Sequence, residues 1–339
     1  MSSNEEYSVV ITKLSKKFGD FEAVKGIDLK IKKGEIFGIL GPNGAGKTTT
    51  LNMILGILKP TNGKIIIEGY DNSHDGQKIK QMMGFMTQET VVDSYLTARQ
   101  NLEIFARLYH IPPDRIEEKV NHALKEANLT SFGDVASGTF SGGMQRRLNL
   151  VKSMIQEPKI LILDEPTTGL DIQSRVVMWA EIKRLNKLGI TIILTTQYLE
   201  EADNLCDTIA VIDHGVVKAI GTAAELKKIV AKGNILGITV KDDDMVKVTK
   251  ILKSKFGLDV MDNNGRLEAP ITEKPLQQLI KIAQELQKEG IEVLTISMHL
   301  PTMDDVFIKL TGASIRDDTS SGNAQAQKNM IKVGFGGRR

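Results

Sequence analysis

The chain has 339 residues, 41% hydrophobic and 25% charged, a globular balance that excludes a fibrous or wholly disordered protein and, at ~150 residues per domain, favours two domains. Its 44 Lys and Arg against 42 Asp and Glu are too even to imply a nucleic-acid partner, and a lone cysteine, Cys206, excludes a disulfide framework or a multi-thiolate metal site. No apolar run approaches the ~18 residues of a spanning helix, and Met1-Ser-Ser-Asn-Glu-Glu is not the start of a secretory signal, so a cytoplasmic location is expected.

In chain order, strands are predicted at Val9–Thr12, Glu35–Leu40, Lys64–Glu68, Ile160–Leu163, Thr191–Thr195 and Thr208–Ile212. Several are apolar almost throughout, as strands buried on both faces of a parallel sheet are. Their spacing leaves room for crossover helices, which gives an α/β domain over 5–230. From Thr97 to about Glu157 the alternation stops. Helices Thr97–His110 and, after the break Pro112-Pro113-Asp114, Arg115–Asn128 form a helical insertion over about 97–157.

Near Ala231-Lys232-Gly233 the pattern changes again. Strand Ile235–Val240, helix Asp244–Phe256, a hairpin through Asn263-Asn264-Gly265, helix Glu273–Glu289, strand Ile291–Met298 and helix Thr302–Leu310 follow. That order is the split pattern of a small ferredoxin-like α/β domain over 234–312. Residues 313–339, rich in Ser, Gly, Asn and Gln, read as a disordered tail.

Three segments carry chemistry. Gly41-Pro42-Asn43-Gly44-Ala45-Gly46-Lys47-Thr48 fits the phosphate loop G-x-x-x-x-G-K-[ST], with a strand before it and a helix, Thr48–Leu55, after it. Its glycines let successive N–H groups point at phosphate oxygens, Lys47 would neutralise β- and γ-phosphate charge, and the Thr48 hydroxyl would ligate Mg²⁺. Ile160-Leu161-Ile162-Leu163-Asp164-Glu165 is a strand ending in two acids. Asp164 is placed for the Mg²⁺ shell and Glu165 to accept a proton from attacking water; alone, the pair would read equally well as a solvated acidic loop. Ser141-Gly142-Gly143-Met144-Gln145 opens a helix expected over Gln145–Gln156 and is either a flexible cap or a second phosphate cradle. One nucleotide does not need two cradles, so the second would serve the γ-phosphate of a nucleotide held by another copy or a partner in a head-to-tail dimer.

These segments, with Leu163-Asp164-Glu165-Pro166 and Thr168-Gly169-Leu170-Asp171, resemble the nucleotide-binding domain of ABC transporters over about residues 5–230. The resemblance implies a P-loop ATPase that binds ATP and Mg²⁺. It makes Gly41–Thr48 with Thr49 the nucleotide loop, Gln88 the glutamine that contacts Mg²⁺ and senses the membrane partner, and Asp171 the aspartate of the loop after the acidic strand. It makes Phe18 the aromatic that stacks on adenine, with Phe21 a nearby competitor, and Ser141, Gly142 and Gly143 the signature that acts on the other copy's nucleotide. Two departures stand out: Phe140 where Leu is usual, and Gln197 where most of these ATPases place a histidine. A Gln amide can donate to a γ-phosphate but cannot become cationic. Thr195 to Asp203, Ile212-Asp213-His214-Gly215 and Pro301 to Phe307 together resemble the daunorubicin-resistance type of exporter ATPase, which extends the likeness to about Gly312.

The expectation is an ATP-hydrolysing subunit, catalytic residues Glu165, Lys47, Gln88 and Gln197, that drives a separate integral membrane permease from the cytoplasmic face by ATP-driven homodimerisation. The helical insertion and Glu89 to Tyr95 are its expected contact surface, and the exported compounds would be drugs or other amphipathic molecules. The competing reading is a soluble ABC ATPase of DNA repair or translation. A GTPase is disfavoured because Asn186-Lys187-Leu188-Gly189 fails the guanine motif at its last position.

Overall fold

The computed structural model describes residues 6–89, 92–230, 233–263 and 265–312. The expected tail over 313–339, Asn264 of the hairpin turn, Ala231 and Lys232 at the domain junction, and Thr90 and Val91 of the contact segment lie outside the described residues. Packing divides the chain after Thr222.

The first unit opens with a hairpin, β1 (Tyr7–Phe18) and β2 (Phe21–Lys32). Next come β3 (Ile36–Leu40), α1 (Lys47–Ile54), β4 (Asn62–Ile67), β5 (Tyr70–Asp71), α2 (Gly76–Gln81) and β6 (Met83–Met86). Helices α3 (Ala98–Leu108), α4 (Pro113–Glu126) and α5 (Gly142–Met154) interrupt the alternation. It resumes with β7 (Ile160–Asp164), α6 (Ile172–Lys187), β8 (Thr191–Thr196), α7 (Leu199–Leu205), β9 (Thr208–Asp213) and β10 (Val216–Gly221).

One sheet runs β10-β9-β3-β8-β7-β6, parallel except for β10. Its strands β3, β7 and β8 are buried at every residue, because helices and the second sheet cover both faces. The second sheet, β2-β1-β4-β5, is antiparallel. Two expected strands belong here instead of in the parallel sheet: Val9 lies opposite Ile67 and Ile11 opposite Ile65. The physical reason is one solvated face, on which Thr12 pairs with Lys64, both exposed, and Val10 with Ile66, both half-buried. Both sheets and α1 share a core that includes Leu14, Leu29, Phe37, Leu51, Ile54 and Ile162.

Parallel register brings the working ends of the strands level. Leu40 pairs with Thr196, Asp164 with Thr195, and Met86 with Leu163, so the loops after β3, β6, β7 and β8 leave from one end of the sheet, where open α/β sheets hold ligands. The helical insertion has its own core of Leu102, Val120, Leu124, Leu148 and Val151. A Thr97/Gln100 capping box starts α3 and Pro113 starts α4. The expected start of the next helix at Gln145 moves back to Gly142, since Ser141 Oγ caps it by accepting from Met144 N at 3.3 Å.

The second unit comprises α8 (Ala223–Val230), β11 (Asn234–Val240), α9 (Met245–Phe256), β12 (Met261–Asn263), β13 (Arg266–Ile271), α10 (Pro275–Lys288), β14 (Val293–His299) and α11 (Met303–Thr311). Its antiparallel sheet has the order β12-β13-β11-β14, the split ferredoxin-like arrangement, and Leu236, Ile238, Val248, Leu252, Leu267, Ile282 and Leu286 form its core. Helix α8, which the sequence reading assigns to the preceding domain, packs here against α11. Lys309 Nζ ties the two by donating to the Ile229 carbonyl at 2.9 Å. Pro301 to Phe307 serves this packing: Thr302 and Asp305 cap α11 reciprocally, while Met303, Val306 and Phe307 are buried.

Candidate active site

The loop between β3 and α1 is shaped by what its glycines make room for. A Cβ on Gly41 would stand 2.2 Å from the Ile212 carbonyl oxygen, and one on Gly46, at φ +101°, 2.6 Å from that of Ala23. Only glycine lets the backbone curl this closely against the core. Asn43 and Gly44 at the crest are exposed, Thr49 is half-buried in the first turn of α1, and Lys47 folds under the loop, 5% exposed. Its Nζ donates to the carbonyls of Gly41 and Pro42 at 2.8 and 3.1 Å and pairs with Glu165 Oε1 at 3.5 Å.

The acids at the end of β7 stand opposite this loop. Asp164 is buried and accepts from Thr195 Oγ1 at 2.5 Å, with Thr48 Oγ1 at 3.3–3.4 Å from its two oxygens. Burial raises the Asp164 carboxyl above its ordinary range, against the lowering pull of the Thr195 hydroxyl. Glu165 takes a left-handed backbone, φ +47°, held by bonds from its N–H to the Thr195 carbonyl and hydroxyl at 3.2 and 3.1 Å. Strain of this kind persists where surrounding bonds over-determine it. Its carboxylate accepts from Gln88 Nε2 at 3.2 Å and Thr168 Oγ1 at 3.0 Å. Lys47, Thr48, Gln88, Asp164 and Glu165 therefore form one cluster.

The other expected residues lie apart from it, with no hydrogen bond or ion pair to that cluster among the described residues. Gln197 follows the end of β8, the strand whose Thr196 carbonyl receives the Gly41 N–H at 3.3 Å, so it borders the phosphate loop. Ser141 and Gly142 are exposed at the head of α5. Asp171 caps α6 through Ser174 N and Oγ, both at 2.8 Å, which holds its carboxyl below the usual range. A Cβ on Gly143 would come within 3.0 Å of that same Ser174 Oγ, so the signature turn and the head of α6 are neighbours. Phe18 and Phe21 face each other as a cross-strand pair at the tip of the β1–β2 hairpin, both exposed, and Lys16 Nζ lies 5.2 Å from the Phe18 ring.

Sequence reasoning gave no role to Arg146. Its guanidinium is buried and donates to the carbonyls of Gln88, Thr87 and Glu165 at 2.6, 3.2 and 2.9 Å, so one fork holds the backbone behind both Gln88 and Glu165. Within Gln145-Arg146-Arg147 nothing local separates the buried arginine from a solvated one. Thr195, which orients Asp164, was equally hidden because its partner lies 31 residues away in sequence and meets it only in the fold.

The donors present fit a Mg²⁺ ion. Thr48 and Asp164 offer hard oxygens at a separation near the ~3 Å expected between adjacent ligands of a small octahedral ion. No group of three or more His, Cys, Asp or Glu able to hold a metal occurs among the described residues.

A strand, a glycine-shaped loop, a buried lysine at a helix start and two acids on a neighbouring strand end define a P-loop nucleoside triphosphatase. The family model described as ABC transporter matches residues 24–168. The daunorubicin resistance ATP-binding protein DrrA3 of Streptomyces coeruleorubidus is 38% identical over 305 residues, 90% of this chain and 96% of that protein. The linearmycin resistance ATP-binding protein LnrL of Bacillus subtilis is 34% identical, covering 90% and 98%. Among solved structures, an ATP-binding cassette dimer in a post-hydrolysis state with ADP and Pi matches at a TM-score of 0.58 and 28% identity, over 63% of this chain and 98% of that one. The chain belongs to the ATP-binding subunits of ABC transporters and is an ATPase.

Proposed function

We propose that this subunit powers an exporter of drugs or other amphipathic compounds, acting at the cytoplasmic face of a membrane through a separate permease. One observation carries the reading: likeness to a resistance ATP-binding protein runs through 90% of this chain, second unit included. The relatives named for resistance, together with the Nod factor export ATP-binding protein I of Sinorhizobium fredii at 34% identity, covering 93% of this chain and 89% of that protein, favour export over a role on DNA or the ribosome. No helix among the described residues is long and apolar enough to cross a membrane, which fits a partner that supplies the spans.

In this reading the N–H groups of Gly41–Thr49 and the Lys47 ammonium hold the phosphates, and Phe18 stacks on adenine. Thr48, Asp164 and Gln88 would hold Mg²⁺, which when bound neutralises phosphate charge. Glu165 orients the attacking water and accepts its proton, while Gln197 donates to the γ-phosphate. Exposed Ser141, with Gly142, Gly143 and Asp171, completes the site of a second copy in a head-to-tail homodimer. The test is co-expression of the full chain with a neighbouring-gene membrane protein, followed by ATP-dependent uptake of a panel of amphipathic compounds into inverted vesicles. Uptake that Lys47→Ala abolishes supports the reading; ATP hydrolysis that moves none of the panel overturns it.

A further inference from the structure

Glu201, on α7, is wholly buried. Its Oε1 accepts from Thr167 Oγ1 at 2.8 Å and Trp179 Nε1 at 3.0 Å, and the Thr196 hydroxyl lies beside the same carboxylate. These donors come from the loop after β7, from α6 and from the end of β8. Each loop donor adjoins a residue of the site. Thr167 precedes Thr168, whose hydroxyl bonds Glu165. Thr196 precedes Gln197, and its Oγ1 accepts from Tyr198 N at 2.9 Å.

A carboxylate is a poor choice for mere packing here. Burial raises its pKa, and an apolar side chain of similar size would avoid that cost. Its Oε2 lacks a hydrogen bond of good geometry, as does the buried Nε of Arg175. The Arg175 guanidinium stacks 4.5 Å from the Tyr198 ring, and its charge acts on Glu201. An acceptor and a donor left without a well-formed bond in one neighbourhood mark this carboxylate as more than inert packing.

We propose that Glu201 is a positioning residue for hydrolysis: it couples the Thr196-Gln197-Tyr198 segment to the Thr167-Thr168 loop, so that contact of Gln197 with a γ-phosphate and the aim of Glu165 at water are set together. The inference rests on the roles given above to Glu165 and Gln197. Wholly buried, Glu201 acts only through the two segments it bonds.

The test uses the full chain and separates rate from affinity. Glu201→Leu keeps the volume and removes the acceptor; kcat falls about tenfold or more while KM for ATP stays within about twofold. Glu201→Gln keeps Oε1 and holds kcat within about threefold of the parent. Trp179 is the only tryptophan, so its emission reports its bond to Glu201: Glu201→Leu shifts the maximum and blunts the change on adding Mg–ATP, and Glu201→Gln preserves both. Thr167→Val cuts the same link from the other side, lowers kcat by about threefold or more, and adds little to Glu201→Leu when combined. Parental kcat in folded Glu201→Leu, or in Thr167→Val should the first not fold, overturns the inference. Glu165→Gln is read in parallel: hydrolysis that survives it removes the underlying reading instead.

Discussion

Lys47 and Glu165 are each other's counter-charge, Nζ to Oε1 3.5 Å, both about 5% exposed. Burial lowers the Lys47 pKa and the Glu165 carboxylate opposes that shift. In the proposed site an incoming phosphate chain would compete with Glu165 for the ammonium and, in winning it, leave the carboxylate to water. Replacing Lys47 by Met should weaken ATP binding at least ~10-fold and hydrolysis ~100-fold. It also strands a buried carboxylate, at up to about 3 kcal/mol of stability. Adding Glu165→Gln should recover most of that loss, which thermal unfolding of the single and double variants measures.

Asp164 gives a pH dependence of definite sign. Its pKa is raised from 3.8 chiefly by burial, so the native state binds more protons than the unfolded chain between 3.8 and the raised value. This group's stabilising contribution is complete below 3.8 and is lost as pH rises through the raised value. Asp164→Asn should therefore raise the melting temperature of the nucleotide-free protein at pH 7, by ~2–4 °C for each kcal/mol relieved, and the gain should shrink on acidification. The proposed role of Asp164 as a Mg²⁺ ligand would need its ionised form. Affinity for Mg–ATP, followed by Trp179 emission, should fall as pH drops through the raised pKa, at higher pH than an exposed aspartate would allow.

The cluster was legible where its chemistry is local. Gly41–Thr48 and Asp164–Glu165 each declare strand end, loop and charge within a few residues, and the parallel register then brings them together. Thr195, Arg146 and Glu201 were not legible, because each is defined by partners on other strands and helices. Secondary structure failed where the apolar signal is diluted. Met83-Gly84-Phe85-Met86 has no β-branched residue, yet it forms the edge strand β6. The bulged β1–β2 pairing carries Lys and Ser through positions that break simple alternation. In the second unit the βαββαβ order was readable from periodicity, whereas the membership of α8 depends on α11, some 80 residues later.

Two glycines of the phosphate loop should respond differently to alanine. At Gly41 the added Cβ meets the Ile212 carbonyl at 2.2 Å, and β9 cannot give way without breaking its pairing with β3; about 2–3 kcal/mol of stability should be lost. At Gly44, φ is +81° but the space is open, so only backbone strain of about 1–2 kcal/mol applies. Denaturant unfolding without nucleotide should rank Gly41→Ala well below Gly44→Ala.

Gln197 predicts what a histidine would add. As an amide it donates without titrating, so the pH profile of wild-type hydrolysis should lack an ionisation belonging to this position. Gln197→His should keep the rate within about tenfold and introduce a limb near pH ~6.5. Gln197→Ala should lower kcat by ~10-fold or more with little change in ATP affinity. A limb in the alanine variant matching that of the histidine variant would place its origin elsewhere.

The motif Thr302-Met303-Asp304-Asp305 makes a separate, structural prediction. Asp305 N donates to Thr302 Oγ1 at 3.3 Å, while Thr302 N and Oγ1 donate to Asp305 Oδ2 at 2.7 and 2.8 Å. Thr302→Ala takes the acceptor from the Asp305 N–H in the first turn of α11, at about 1 kcal/mol. Asp305→Ala takes the acceptor from the Thr302 N–H instead, and because both changes break the shared Oγ1–Oδ2 bond the double variant should cost less than the sum of the two. Phe307→Ala acts through the buried face instead and should cost ~3–5 kcal/mol. Hydrogen exchange distinguishes the two modes. Loss of the cap should expose the first turn of α11 alone, whereas loss of Phe307 should also speed exchange in α8, because that helix has α11 as its packing partner.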